Sequence, residues 1–290
     1  MYADDIILLS ESQDGLQNAL DVLDNFCVSW KLNVNKEKSK IIVFNSNGKS
    51  HINCFKIQDE ILETVKSYCY LGIIFNYTGN LNLSKTNLME KGRKAWYKIK
   101  KILSLDNSCS ILEKLFDSLV VPVLLYGSEV WGAMHVYRDS EPYEKLHLKF
   151  IKEILGVHCK ATNYACLKET NREPLHLKVQ LNILKFLVHI LNSPDSLVSI
   201  VYKNIKNSSN WAANVQKLLN NLGFSHLNLN QYNIENYIKR IEQRLQDQHR
   251  QQMNGFISSC EKLSFFRKIH IFNKRPSYID LCKKNGPFIY

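Results

Sequence analysis

An α+β fold is what this 290-residue chain predicts, and three observations carry the expectation. Up to about residue 80, short runs of branched apolar residues alternate with one stretch of helical periodicity. After Gly79 almost every apolar residue recurs at three- and four-residue spacing. Charge divides at the same place: residues 1–83 hold 7 Lys+Arg against 10 Asp+Glu, and the remainder 31 against 17, a balance of +14. Apolar content of 45% and charged content of 22% are globular values, which excludes wholesale disorder.

Taken in order, Ile6 to Ser10 is continuously apolar and predicts a buried strand. From Asp14 the period changes: Leu16, Leu20, Leu23, Phe26/Cys27 and Trp30 predict an amphipathic helix with Ser12 as its N-cap. Ser39 to Phe44 returns to strand, Asn45 to Gly48 is a turn by composition, and His51 to Ile57 and Cys69 to Phe75 are further short strands. Leu83 to Leu103 is a long basic helix in which Lys91, Arg93, Lys94 and Lys98 interleave with Trp96 and Tyr97. Ser110 to Trp131 predicts an apolar helix kinked at Pro122, where a backbone donor is missing. Glu144 to Leu155, Leu175 to Asn192, Asn210 to Leu222 (closed by Gly223) and a polar helix, Glu235 to Asn254, complete the set. Trp131, Trp211 and Tyr126 are expected to be core aromatics.

The eight cysteines form no Cys-x-x-Cys pair; His158, Cys159, Cys166 and His176 match no common zinc spacing, and scattered thiols suit a reducing compartment. The acidic opening residues are unlike a signal peptide, and the longest apolar run, Leu119 to Tyr126, is broken by Pro122 and too short to span a bilayer. The expectation is a nuclear or cytoplasmic, not secreted, protein without a membrane partner.

The chemistry concentrates at Tyr2-Ala3-Asp4-Asp5. Two adjacent carboxylates supply the hard oxygen donors that Mg²⁺ prefers, and phosphoryl transfer to a growing strand uses two such ions about 4 Å apart. Held in a tight turn, both could approach metal, with Tyr2 beside them; on a plain strand entry they would be a solvated pair. Lys36, Lys38 and Lys40 read equally as a solvated strand edge, and the basic helix as an ordinary charged face.

Several segments follow in order: Tyr2-Ala-Asp-Asp5, Leu8-Leu-Ser-Glu-Ser12, Trp30-Lys-Leu-Asn-Val-Asn35, Lys38-Ser-Lys-Ile-Ile-Val-Phe44, Tyr70-Leu71-Gly72-Ile-Ile-Phe75, Glu90-Lys-Gly-Arg-Lys-Ala95, Leu115 to Gly132, Leu146 to Gly156 and Arg172-x-Pro174-Leu. The ordered set resembles the C-terminal part of the reverse transcriptase of non-LTR (LINE-type) retrotransposons, well over residues 1–195 and loosely beyond. The resemblance implies a partial palm (1–80), a helical thumb (81–160) and a C-terminal helical region (161–290). It implies metal binding by Asp4 and Asp5, a lysine (Lys38) near the incoming nucleotide's phosphates, a primer-gripping hairpin (Tyr70, Leu71, Gly72) and duplex contacts from Lys91, Arg93, Lys94 and Lys98. Its ligands would be Mg²⁺, an RNA/DNA template-primer and, in the complete enzyme, dNTP; protein partners are left open.

Such enzymes also need a third carboxylate from an upstream strand and the fingers that close on the nucleotide. Both lie ahead of the Asp-Asp pair, where this sequence begins. The expectation is therefore a fragment that does not polymerise alone. The alternatives are a non-catalytic nucleic-acid-binding remnant, whose basic body acts electrostatically, and an unfolded pseudogene product.

Overall fold

The computed structural model describes residues 4–44, 54–58, 60–102, 109–134, 141–224 and 234–269. Tyr2, the turn at 45–48, the start of the strand expected at His51 and Leu103 lie outside the described residues. The chain divides into two compact units, Met1–Lys85 and Thr86–Tyr290, and the architecture is α+β, with short strands first and helices after.

In the first unit, helix α1 (Gln13–Ser29) begins where the sequence placed it. The Ser12 hydroxyl accepts the Gly15 N–H at 3.1 Å, occupying a donor that the first turn leaves free. Its inward stripe, Leu16, Leu20 and Leu23, packs on Ile41, Phe55, Ile57 and Leu62. Those four belong to a three-stranded sheet of order β1-β3-β2, made of β1 (Lys40–Ile41), β2 (Phe55–Ile57) and β3 (Glu60–Thr64). Strand β3 runs parallel to β1 (Ile41 opposite Thr64) and antiparallel to β2 (Phe55 opposite Leu62). The Gln17 amide closes the junction: it accepts from the Lys56 N–H (3.0 Å) and donates to the Lys56 carbonyl (2.9 Å), serving as a side-chain substitute for a ladder partner. Strands β4 (Ser67–Tyr70) and β5 (Ile73–Asn76) form a separate antiparallel hairpin.

Three expectations change here. Ile6 to Ser10 is not a strand: Asp5 makes an isolated bridge, the following residues are irregular, and Ile6, Ile7 and Leu9 are exposed. An apolar run becomes a strand only when a neighbour takes up its amides, and among the described residues none pairs with 6–10; Leu8 alone of the run packs on the core. The strand expected over Ser39 to Phe44 reduces to two residues, because β3 meets only Lys40 and Ile41 in register. Cys69 to Phe75 is two strands joined at Leu71 and Gly72, and β3, which the sequence reading missed, carries glutamates at positions 60 and 63 that mask its pattern.

The boundary between the units falls inside helix α2 (Asn82–Ile102). In the second unit α2 buries Leu88, Met89, Trp96 and Ile99. Gly92 lies in this stripe, and a Cβ there would stand 2.3 Å from Leu124 Cδ2, so the glycine permits a backbone approach that any side chain would prevent.

The segment expected as one helix kinked at Pro122 is instead α3 (Cys109–Leu115), a π-helical turn (Phe116–Val120), α4 (Val121–Leu124) and α5 (Ser128–Trp131). The irregularity precedes the proline: the widened turn has the Val121 N–H donating to the Phe116 carbonyl, and Pro122 falls in the first turn of α4, where its absent donor costs nothing. The sharp break comes at Gly127, whose left-handed backbone (φ 68°) stops the helix.

Helix α6 (Pro142–Leu155) is closed by left-handed Gly156, and α7 (Asn163–Glu169) follows. Helix α8 (Leu175–Asn192) buries eight side chains against α5, α6, α9 (Leu197–Ile205), α10 (Asn210–Asn221) and α11 (Ile234–Ser259); α12 (Ser264–Ile269) comes last. Trp131 is buried as expected and Trp211 is half-buried against Phe186 and Tyr202, but Tyr126 is 48% exposed, because it lies in the break before Gly127. Among the described residues no single helix is long and apolar enough to cross a membrane.

Candidate nucleic-acid interface and metal-binding residues

Asp4 lies in a turn and Asp5 at an isolated bridge, both exposed. They are hard oxygen donors open to an ion. Among the described residues, however, no group of three or more acidic, histidine or cysteine side chains converges to hold a metal. Two carboxylates are fewer donors than the six or so oxygens a divalent cation takes, so the pair by itself does not fit a two-metal site. Tyr2, expected beside them, lies outside the described residues.

The three lysines of the next segment are not equivalent. Lys36 pairs with Glu60 and Lys40 with Glu63, each at 2.7 Å, tying the strand edge to β3. Lys38 lies between them on an exposed turn, with no ion pair among the described residues. Its backbone is fixed on both sides: the N–H donates to Asn35 Oδ1 (3.0 Å) and the carbonyl accepts from the Tyr68 hydroxyl (2.8 Å). Tyr68 belongs to β4, so the Lys38 turn is fastened to the hairpin carrying Tyr70, Leu71 and Gly72. At the hairpin tip Leu71 (φ 46°) and Gly72 (φ 84°) are both left-handed, the signature of a two-residue type I′ turn. Glycine takes that conformation freely, whereas leucine there costs about 1 kcal/mol. No hydrogen bond or ion pair among the described residues joins Lys38 to Asp4 or Asp5.

On α2, Lys91, Arg93, Lys94 and Lys98 are all exposed, and none has an ion-pair partner among the described residues. At 100° per residue they fall on the side opposite Leu88, Trp96 and Ile99, and Lys101 extends the ridge by another turn. Lys91 to Lys101 spans about 15 Å at 1.5 Å per residue. Cations left unpaired on a rigid helix lose side-chain entropy to no internal partner and stay available to an external anion.

That ridge stands on an aromatic stack. Trp96 meets Phe150 and Phe116 edge-on (centroids 4.9 and 5.8 Å), and Phe116 and Phe150 stack at 3.9 Å. The Trp96 indole N–H donates to Glu153 Oε2 at 3.0 Å, and the same oxygen takes the Lys100 ammonium at 3.1 Å.

Against the stack runs a polar chain, buried at His147 and Glu144, that the sequence reading did not single out. The Arg172 guanidinium grips both Asp117 oxygens (Nη1 to Oδ2, 3.0 Å, and Nη2 to Oδ1) and donates through Nε to His147 Nε2 at 3.2 Å. Because Nε2 accepts, His147 is neutral with its proton on Nδ1, donated to Glu144 Oε1 at 3.1 Å. Burial in turn holds the His147 pKa below its usual value. Glu144 Oε2 accepts the His176 N–H at 3.1 Å, so a carboxylate on α6 caps the first turn of α8 and meets its positive dipole end. Burial pushes the Glu144 pKa upward, but hydrogen bonds from His147 and His176 and the electrostatic attraction of their N–H groups outweigh it, bringing the carboxyl from 4.5 to about 2. The available signal was in the motifs themselves: Asp117, His147 and Arg172 each fall in a different segment of the resemblance. Of the residues weighed for zinc, Cys166 is buried, which raises its thiol pKa, and His158 and Cys159 are exposed.

Comparison with known proteins adds two findings. Residues 1–75 match the family model described as reverse transcriptase (RNA-dependent DNA polymerase). A transposon-derived protein of Caenorhabditis elegans, itself uncharacterised, is 30% identical over 162 residues, which cover 54% of this chain and 56% of that protein. The alignment thus spans little more than half the length of that relative. No solved structure matches.

Proposed function

We propose that this chain is a piece of a retroelement reverse transcriptase of the non-LTR type, and that it binds nucleic acid through the outer ridge of α2. The carrying observation is the set of unpaired cations Lys91, Arg93, Lys94 and Lys98 on one exposed side of a helix that directly follows the reverse-transcriptase-like segment 1–75. Lysine and arginine so spaced neutralise phosphates without reading sequence, as a duplex-tracking thumb requires. The fastened hairpin at Leu71 and Gly72 and the unpaired Lys38 supply the primer-side and phosphate-side groups of the same reading.

Asp4 and Asp5 are its metal-ligand candidates for Mg²⁺. A complete set takes further carboxylates, so in our reading nucleotidyl transfer from dNTP belongs to the whole enzyme and this chain contributes template-primer binding. Nuclear or cytoplasmic residence goes with that role. The non-catalytic alternative, a nucleic-acid-binding remnant, is favoured by the same incompleteness of the donor set among the described residues.

The test is a salt titration of full-length chain on an RNA/DNA duplex. Each neutralised phosphate contributes about 0.9 to the slope of log K against log salt, so replacing Lys91, Arg93, Lys94 and Lys98 by Ala should reduce the slope by roughly 3 to 4. An unchanged slope would remove α2 from the interface. Asp4→Ala with Asp5→Ala should leave binding intact, and purified chain should extend no primer with Mg²⁺; Mg²⁺-dependent synthesis that the double substitution abolishes would overturn the assignment of catalysis to the larger enzyme.

A further inference from the structure

Resting on the reading that the α2 ridge binds nucleic acid, we propose that Tyr97 and the neighbouring lysines of α6 form a separate stacking site for an unpaired base, so that the same unit holds a single strand as well as a duplex.

Tyr97 is the aromatic residue of α2 that faces outward: it is 48% exposed, while Trp96 beside it is buried. An exposed tyrosine has no core role, and this one is held in place. The Lys149 ammonium of α6 donates to its hydroxyl at 3.3 Å, so the ring bridges α2 and α6. Lys100 and Lys149 each sit 5.7 Å from the ring centroid. That is within the roughly 6 Å of a cation–π contact, and the ring nevertheless stays half exposed. The result is a half-exposed aromatic ring with two cations beside it.

Lys149 is one of a row. Lys145 and Lys149 are exposed four residues apart on α6, and Lys152 follows one turn later with its ammonium on the Cys159 carbonyl. The cationic surface therefore continues from α2 across Tyr97 on to α6. Glu153 offsets part of this charge, its Oε2 taking Lys100 at 3.1 Å and its Oε1 lying 3.8 Å from Lys149, and the row remains net positive. A phosphate backbone crossing here would meet ammonium groups before and after the ring, and the base between them would stack on it.

The chemistry selects the form of the ligand. In a duplex every base is already stacked on its neighbours, and an aromatic side chain can take a base only from an unpaired strand. Stacking tolerates any base, so the site takes single-stranded RNA or DNA without a sequence preference. The Lys91 to Lys101 ridge needs only phosphates and accepts either form.

Fluorescence anisotropy of full-length chain tests this with a labelled ~12-nucleotide single-stranded RNA, a length within the footprint of known single-strand binders, and with the same strand annealed to its DNA complement. Tyr97→Ala should weaken single-strand binding by ~5- to 150-fold, the range of one lost base stack, and alter duplex binding by less than about 2-fold. Tyr97→Phe keeps the ring and should retain the single strand. Lys149→Ala should lower the single-strand salt slope by about 0.7. Wild-type binding of the single strand that Tyr97→Ala leaves unchanged, or an equal loss on strand and duplex, overturns this inference and leaves the α2 reading standing. Wild-type failure to bind either form overturns both.

Discussion

Arg172 is the residue whose loss should cost the second unit most. Its side chain is 11% exposed and makes three hydrogen bonds, two to Asp117 and one to His147, with its guanidinium 5.5 Å from the Phe150 ring centre and 6.0 Å from that of Phe116. In Arg172→Ala, His147 Nε2 is left as a buried acceptor with no donor, which costs about 1–3 kcal/mol. Removing the aliphatic stem and the guanidinium from the Phe116–Phe150 stack costs about 1–2 kcal/mol more. Asp117 is 40% exposed and can rehydrate, so losing the ion pair itself adds at most about 1 kcal/mol. The sum, about 2–6 kcal/mol, corresponds to a drop in Tm on the order of 10 °C for a unit of this size. Arg172→Lys keeps a charge near Asp117 but cannot also give the Nε–H to His147, and should lose about 1–3 kcal/mol. Asp117→Asn should lose less than either. Urea unfolding followed by tryptophan fluorescence reports on this unit directly, because Trp96 packs edge-on against Phe116 and Phe150, whereas Trp30 is exposed in the first unit. Arg172→Ala within 1 kcal/mol of wild type, or Asp117→Asn costing as much as Arg172→Ala, would refute the view that the buried histidine, and not the ion pair, is what makes Arg172 indispensable.

Two further perturbations follow from burial and packing. Burial and the neighbouring His176 charge bring the His249 pKa from 6.5 down to about 4, so between those values the unfolded chain binds a proton that the folded chain does not, and stability falls as pH drops through that window. Glu169, raised by burial to about 7, acts in the opposite direction, so the measurement is the difference in urea midpoint between wild type and His249→Phe: it should change between pH 6.5 and 4 and level off below; a constant difference would contradict it. Gly92→Ala and Gly255→Ala form a matched pair, since both glycines lie inside helices. A Cβ at Gly92 would be 2.3 Å from Leu124 Cδ2 and 2.9 Å from its Cγ, while at Gly255 nothing lies within 4 Å. Thermal melts should show Gly255→Ala gaining up to about 1 kcal/mol and Gly92→Ala losing up to about 2 kcal/mol, as overpacking of about 1–3 kcal/mol outweighs the helix gain. Equal shifts would mean that α2 and α4 relax apart at no cost.

What could be read in the sequence follows from how local each feature is. The Ser12 cap, the limits of α8 at Leu175 and Asn192 and the stop at Gly223 depend on periodicity and on single capping residues, and all three are where the pattern placed them. Ile6 to Ser10 failed for the converse reason: branched apolar content is a statement about burial, whereas a strand depends on a partner's amides, which composition does not report. The split at Gly127 turned on one left-handed residue in an apolar run dominated by its proline. At the candidate site, the exposure of Lys91, Arg93, Lys94 and Lys98 was legible because α2 is amphipathic. The separation of Lys38 from Lys36 and Lys40 was not, because it depends on Glu60 and Glu63 of a strand the pattern concealed.

The polar chain from Asp117 to Glu144 joins these levels. Asp117 comes from the π-helical turn, Glu144 and His147 from α6, and Arg172 from the approach to α8, so the four residues sit on three elements, and the bonds from Arg172 to Asp117 and His147 and from the His176 N–H to Glu144 fix those elements relative to one another. Phe116 adjoins Asp117 and Phe150 lies one turn from His147, so the same anchoring sets the stack on which Trp96 rests. Trp96 in turn orients the outer face of α2, with Tyr97 and Lys98 as its next two residues. Asp117, His147 and Arg172 therefore act on the cationic ridge without touching a ligand: they hold the helix that carries it. The exposed cations on α2 are what that scaffold presents.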